Sequence, residues 1–171
     1  MKLSSAVFKV VKRMFSAKEA YAHCDVPCGI YDPHLAQVAA HSVIRMVQLL
    51  EALQPPVTNA PQADRAKYVN SMARYIAVKE EHAELCKKEI RIIWGDYFKP
   101  EHLQKYPDLH EQVFNVMKLG SKGRQDVNLD ASKQLLASVQ KISEIFWETK
   151  GVKTKRVPSN YPSGGDLVVP A

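Results

Sequence analysis

Four stretches of this chain place apolar residues at the three- and four-residue spacing of an α-helix, and proline or glycine closes each one. The first opens at Asp32-Pro33, a capping oxygen followed by a residue whose missing N–H costs nothing in a first turn. It carries Leu35, Val38, Ala39, Ser42, Val43, Met46, Val47, Leu49 and Leu50 on or near one face and ends before Pro55-Pro56, within a linker over 54–62. The second runs over 63–94 through Ala66, Val69, Met72, Ala73, Ile76, Ala83, Cys86, Ile90 and Ile93. Residues 95–107 are aromatic-rich and interrupted by Pro100 and Pro107, which predicts a structured turn with a short helical piece. A third helix spans 108–119, closed by Gly120 and its Ser-Lys-Gly loop. Asp130 caps a fourth, through Leu135, Leu136, Val139, Ile142, Ile145, Phe146 and Trp147, and Gly151 stops it. No stretch alternates in the manner of a strand. The expected fold is therefore all-α: an antiparallel four-helix bundle over 33–150, followed by an extended tail over 151–171 that lies on a partner or moves.

At 171 residues the chain is one domain, and its apolar runs fall far short of the roughly 20 residues a membrane-spanning helix needs. Three cysteines cannot make a disulfide scaffold, which points to a reducing compartment. The formal charge is +6, but Lys2, Lys9, Lys12, Arg13 and Lys18 against Glu19 put +4 of it in residues 1–22, leaving +2 for the rest. No downstream basic stretch is interleaved with aromatics, so nucleic-acid binding is not expected.

The basic N-terminal segment is itself amphipathic, with Leu3, Val7, Val10, Val11, Met14 and Phe15 at helical spacing. Lys9, Lys12 and Arg13 interrupt the unbroken apolar centre of about 7–15 residues that a secretory signal requires. Ala20-Tyr21-Ala22 has the small-x-small form of a cleavage site. A helix on a membrane surface, a helix docked on the body of the protein, and a leader removed in maturation all suit these residues.

The residues that carry chemistry follow at once: His23-Cys24-Asp25-Val26-Pro27-Cys28-Gly29 places two thiols and an imidazole within six positions. A structural zinc site takes four ligands in two close pairs, and no second pair follows; a thiol-redox or partial zinc site at Cys24 and Cys28 needs no cut in the chain. If the chain is cut after Ala22, His23 offers an amine and an imidazole, Cys24 an amide nitrogen and a thiolate, and Cys28 a second thiolate. Two nitrogens and two sulfurs in a plane, with the imidazole axial, suit Ni(II) or Cu(II). Cys86 lies on an apolar stripe and reads as a small hydrophobe, and His34, His41, His82, His102 and His110 are scattered.

The segment His23 to Pro33 resembles the nickel hook of nickel superoxide dismutases, set directly after a removable leader. Two further blocks carry the likeness: Trp94-Gly95-Asp96-Tyr97-Phe98-Lys99-Pro100 with Lys105-Tyr106-Pro107-Asp108-Leu109-His110, and Ile145-Phe146-Trp147-Glu148-Thr149-Lys150. The resemblance implies a leader over 1–22, a hook over 23–32, one nickel ion per subunit and a homohexamer of four-helix subunits. It implies dismutation of superoxide to dioxygen and hydrogen peroxide, with the metal cycling between Ni(II) and Ni(III). His23, Cys24 and Cys28 would be the ligands. Asp25 and Pro27 would shape the hook, with a cis bond before Pro27, and Tyr31 and Tyr97 would flank its open face. Anionic thiolate and amidate donors stabilise the trivalent metal. Substrate anions would be drawn by charge, with Lys99 a candidate beside its reading as ordinary surface. A leader-processing protease, a nickel delivery partner and a cytoplasmic location complete the expectation. The chain departs from the family where its members place a carboxylate and an arginine behind the axial imidazole: Ala39 and His82 stand there, so either another group substitutes, with His82 and His41 the candidates, or the axial ligand is looser here.

Overall fold

A computed structural model of the chain describes residues 29–171. The leader, the hook residues His23 to Cys28 and the bond before Pro27 lie outside that range. The described chain is mostly helical: α1 His34–Ala52, α2 Gln62–Ile92, a π-helical turn Ile93–Tyr97, α3 Pro100–Lys105, α4 Leu109–Gln125 and α5 Leu129–Thr149. Each of the four long helices packs on two others, α1 on α2 and α5, and α4 on α2 and α5. Their shared core holds Ala36, Ala40, Ile44, Cys86, Ile90, Leu109, Val116, Leu135, Val139 and Ile142.

The expected helix boundaries need small corrections. Asp32 accepts the His34 N–H at 2.7 Å, so its carboxylate serves the start of α1 as anticipated. At α5 the cap is Asn128, which accepts from the Ala131 N–H at 2.8 Å, and Asp130 lies inside the first turn. Gly120 does not end α4, which runs on to Gln125. A Cβ at 120 would stand 2.8 Å from Lys87 Cγ, so this glycine admits α2 rather than breaking the helix. The open carbonyls at the end of α4 are met by buried Lys79, whose Nζ donates to Arg124 O at 2.9 Å and Asp126 O at 2.7 Å. Gly151 stops α5 as read, at φ +72, with its N–H on Glu148 O and that of Val152 on Trp147 O.

The apolar stripe of α2 is buried only in its second half, at Ala83, Cys86 and Ile90; Val69 and Ile76 are exposed. The 31-residue helix is longer than the helices packed on it, α1 with 19 residues and α4 with 17, and its first half outruns their cover.

The tail overturns the all-α expectation. Strands β1 Thr154–Pro158 and β2 Asp166–Pro170 pair antiparallel, from Thr154 opposite Pro170 to Pro158 opposite Asp166. Gly164 and Gly165 at φ +73 and +77, with Asn160 at φ 58, turn the chain between them. The hairpin docks on the chain's own α1 and α5, and Leu167 and Val168 are buried there. Gln37 donates to Val168 O at 3.0 Å and accepts from Val168 N at 2.8 Å. Gln140 donates to Asp166 O at 2.6 Å and Gln48 to Ser163 O at 3.2 Å. No helix of the described chain is long and apolar enough to cross a membrane.

Candidate metal centre

Of the metal-ligating and catalytic residues expected from sequence, Tyr31 and Tyr97 fall within the described chain, and the fold brings them together. Their ring centroids are 5.6 Å apart at 53°. Tyr31 lies three residues before α1, while Tyr97 ends the π-helical turn, where the Phe98 N–H reaches back five residues to Ile93 O. A widened turn of this kind re-aims the side chains after it and is common at functional sites. Pro100 follows within three residues and prevents the helix from resuming in line.

Around Tyr97 stand groups that sequence reasoning did not assign a role. Phe146 of α5 packs at 4.6 Å between centroids, and the His102 ring stacks at 5.6 Å and 21°. The Lys99 N–H donates to His102 Nδ1 at 3.1 Å, which fixes the neutral ring with its proton on Nε2. The Tyr97 hydroxyl bonds to Thr149 Oγ1 at 2.8 Å, and the Lys150 ammonium lies 5.4 Å from the Tyr97 centroid and 4.9 Å from that of Phe146. Placing a cation over three aromatic faces, Trp147 among them at 6.0 Å, fixes positive charge at the end of α5. The signal available in sequence was the pair of aromatic blocks, 94–100 and 145–150, which the fold joins. Lys99 itself is exposed.

Nothing else in the described chain has the character of a metal centre. Among the described residues no group of three or more His, Cys, Asp or Glu is placed to hold an ion. Cys86 is fully buried, and burial, with Glu89 nearby, pushes its thiol up to about 12, so no thiolate forms there at neutral pH. His41 is not available to support a metal ligand. It is enclosed, with Nε2 donating to Asp166 O at 3.1 Å and Nδ1 bonded to Ser163 Oγ at 2.9 Å. Burial lowers its pKa, against the raising effects of the Asp166 carbonyl and carboxylate. His82 donates from Nδ1 to Val78 O at 2.9 Å, leaving Nε2 as the acceptor of the neutral ring, while Ala39 is packed in the core. His23, Cys24, Asp25 and Cys28 lie outside the described residues. Their donor chemistry fits a thiolate-loving, planar metal, and the described chain supplies no rival thiolate.

The family model for nickel-containing superoxide dismutase matches residues 18–150. The chain belongs to the nickel-containing superoxide dismutase family. The superoxide dismutase [Ni] of Streptomyces coelicolor is 34% identical over 142 residues, 82% of this chain and 98% of the relative. That of Streptomyces seoulensis is 35% identical over the same shares. A native nickel superoxide dismutase structure superposes with a TM-score of 0.63 at 34% identity, covering 75% of this chain and 99% of the other. An apo structure of nickel superoxide dismutase gives 0.62 at 31%, over 71% and 98%. Membership makes this chain an oxidoreductase that dismutes superoxide at nickel, one ion per subunit. The hairpin lies beyond the matched residues.

Proposed function

We propose that the chain performs this reaction once residues 1–22 are removed, with the nickel held by His23 through amine and imidazole, Cys24 through amide and thiolate, and Cys28 through thiolate. The observation that carries the reading is the pairing of Tyr31 with Tyr97: the residue three before α1, and three after Cys28 in the sequence, is held against the π-helical turn. Nickel in such a donor set supplies a metal that takes an electron from one superoxide and gives an electron to a second, which leaves with two protons as hydrogen peroxide. Asp25 and Pro27 would shape the hook, and Tyr31 and Tyr97 would flank its open face. Lys150, pinned above the rings, and Lys99 place positive charge near the approach. With Ala39 and His41 committed to packing, either His82 would support the His23 imidazole or that ligand is held more loosely.

In the same reading the four long helices form an antiparallel bundle, supported by their cyclic packing, and six chains assemble. Exposed Val69 and Ile76 on α2, with Trp94 and Phe114 beside a cavity of about 490 Å³, support a covered surface in that assembly. The broken apolar pattern of the leader and the need for reduced thiols support a cytoplasmic location, a processing protease and a nickel delivery partner. Mass spectrometry of the active protein, with nickel quantified per chain, tests the scheme. A first residue of His23 with one nickel per chain is expected; an active enzyme that retains Met1 overturns it.

A further inference from the structure

We infer that Thr149 is a positioning residue that sets the hydrogen-bond polarity of Tyr97, so that this phenol meets the reaction site as an acceptor and is not the proton source for the nascent peroxide. The argument is one of counting protons. A threonine hydroxyl has a single hydrogen, and Thr149 Oγ1 lies 2.7 Å from Phe146 O, a carbonyl that can only accept. The hydrogen of Thr149 is thereby committed. The 2.8 Å contact between Thr149 Oγ1 and the Tyr97 hydroxyl must then use the phenolic hydrogen, which points at α5. What the Tyr97 oxygen presents elsewhere is lone pairs.

Lone pairs repel the superoxide anion and accept from water or from hydrogen peroxide. Tyr97 therefore discriminates by protonation state, holding a donor-bearing molecule at the open face and offering nothing to the anion. The ring is held in place by Phe146 and His102 at 4.6 and 5.6 Å, so the hydroxyl cannot swing away without breaking the cluster. This inference rests on the placement of Tyr97 at the open face of the nickel site proposed above, and the experiment separates the two.

The hydrogen bond itself is read without nickel, on the full chain carrying tyrosine labelled at Cζ, by NMR in mixed light and heavy water. A slowly exchanging Tyr97 hydroxyl splits its Cζ signal into two isotopic lines and shows cross-relaxation to the Thr149 methyl. Thr149→Val should collapse the split, and Thr149→Ser should keep it. On the processed, nickel-loaded enzyme, azide serves as a small-anion probe. Freeing the phenolic hydrogen in Thr149→Val should tighten azide inhibition about three- to tenfold, the worth of one added hydrogen bond. Thr149→Ser should match the parent, and Thr149→Val should have no effect in a Tyr97→Phe background. A single averaged Tyr97 line in the parent chain overturns the inferred polarity. A split line with azide inhibition unchanged in Thr149→Val overturns the functional role and places the failure in the position given to Tyr97.

Discussion

Val168 turns both of its peptide groups toward α1, where the carboxamide of Gln37 answers them with one donor and one acceptor, as a neighbouring strand would. Because Gln37 is fully buried, replacing it by leucine leaves two buried peptide groups unpaired at a cost of about 1–3 kcal/mol each. Urea unfolding of Gln37→Leu should show a loss of about 2–4 kcal/mol. Its neighbour one turn on, His41, makes the same contact sensitive to pH. Its folded pKa lies below the ordinary 6.5, burial being the main cause, so the unfolded chain binds the proton more readily. The stabilisation is complete above pH 6.5 and declines as pH falls below that value toward the folded pKa. The urea midpoint should therefore drop between pH 7.5 and pH 5.5, and His41→Gln should flatten that drop; the Asp166 carboxylate acts on this ring and Arg45 lines the same cavity. At the hook, Cys24→Ser or Cys28→Ser should abolish nickel binding while circular dichroism retains the helical signal, since among the described residues the four long helices share a core of their own.

Helix α4 carries two glycines that the sequence presents alike and the structure separates. At Gly123 an added methyl would meet Val43 Cγ1 at 3.6 Å, an ordinary contact, whereas at Gly120 it would press on Lys87 at 2.8 Å. Gly123→Ala should raise stability by about 0.5–1 kcal/mol through helix propensity and a stiffer unfolded chain. Gly120→Ala should gain less or lose, because Lys87 must give up its place and with it the 3.2 Å bond to Ser121 Oγ. Comparing the two midpoints in urea decides the point. The existence of all four long helices was legible from apolar spacing, and so were the ends at Asp32 and Gly151, where a cap or a left-handed residue acts within a few positions. Gly120 was not, because its reason is the approach of α2, thirty-odd residues away in sequence. The same holds for the first half of α2, whose Val69 and Ile76 follow the helical period yet find no cover in the described chain.

For the molecule as a whole, the hairpin is a clasp that closes α1 onto α5 by way of Gln37, His41, Gln48 and Gln140. Ending the chain at Lys150 would strip partners from at least two buried polar side chains, Gln37 and His41. That truncation should cost several kcal/mol in urea unfolding at pH 7.5, and the cost should exceed that of Gln37→Leu alone.

The sequence by itself determined the four helices and the family, and it carries the proposed donor set at His23, Cys24 and Cys28, because helical periodicity and the motif from His23 to Gly29 are local patterns. Only the tertiary structure decided that the tail is a docked hairpin, that His41 belongs to it, and that the Tyr97 hydroxyl meets Thr149 on α5. Each of those is a hydrogen bond between residues about 50 to 131 positions apart, and its energy depends on a burial that no local stretch of sequence can specify.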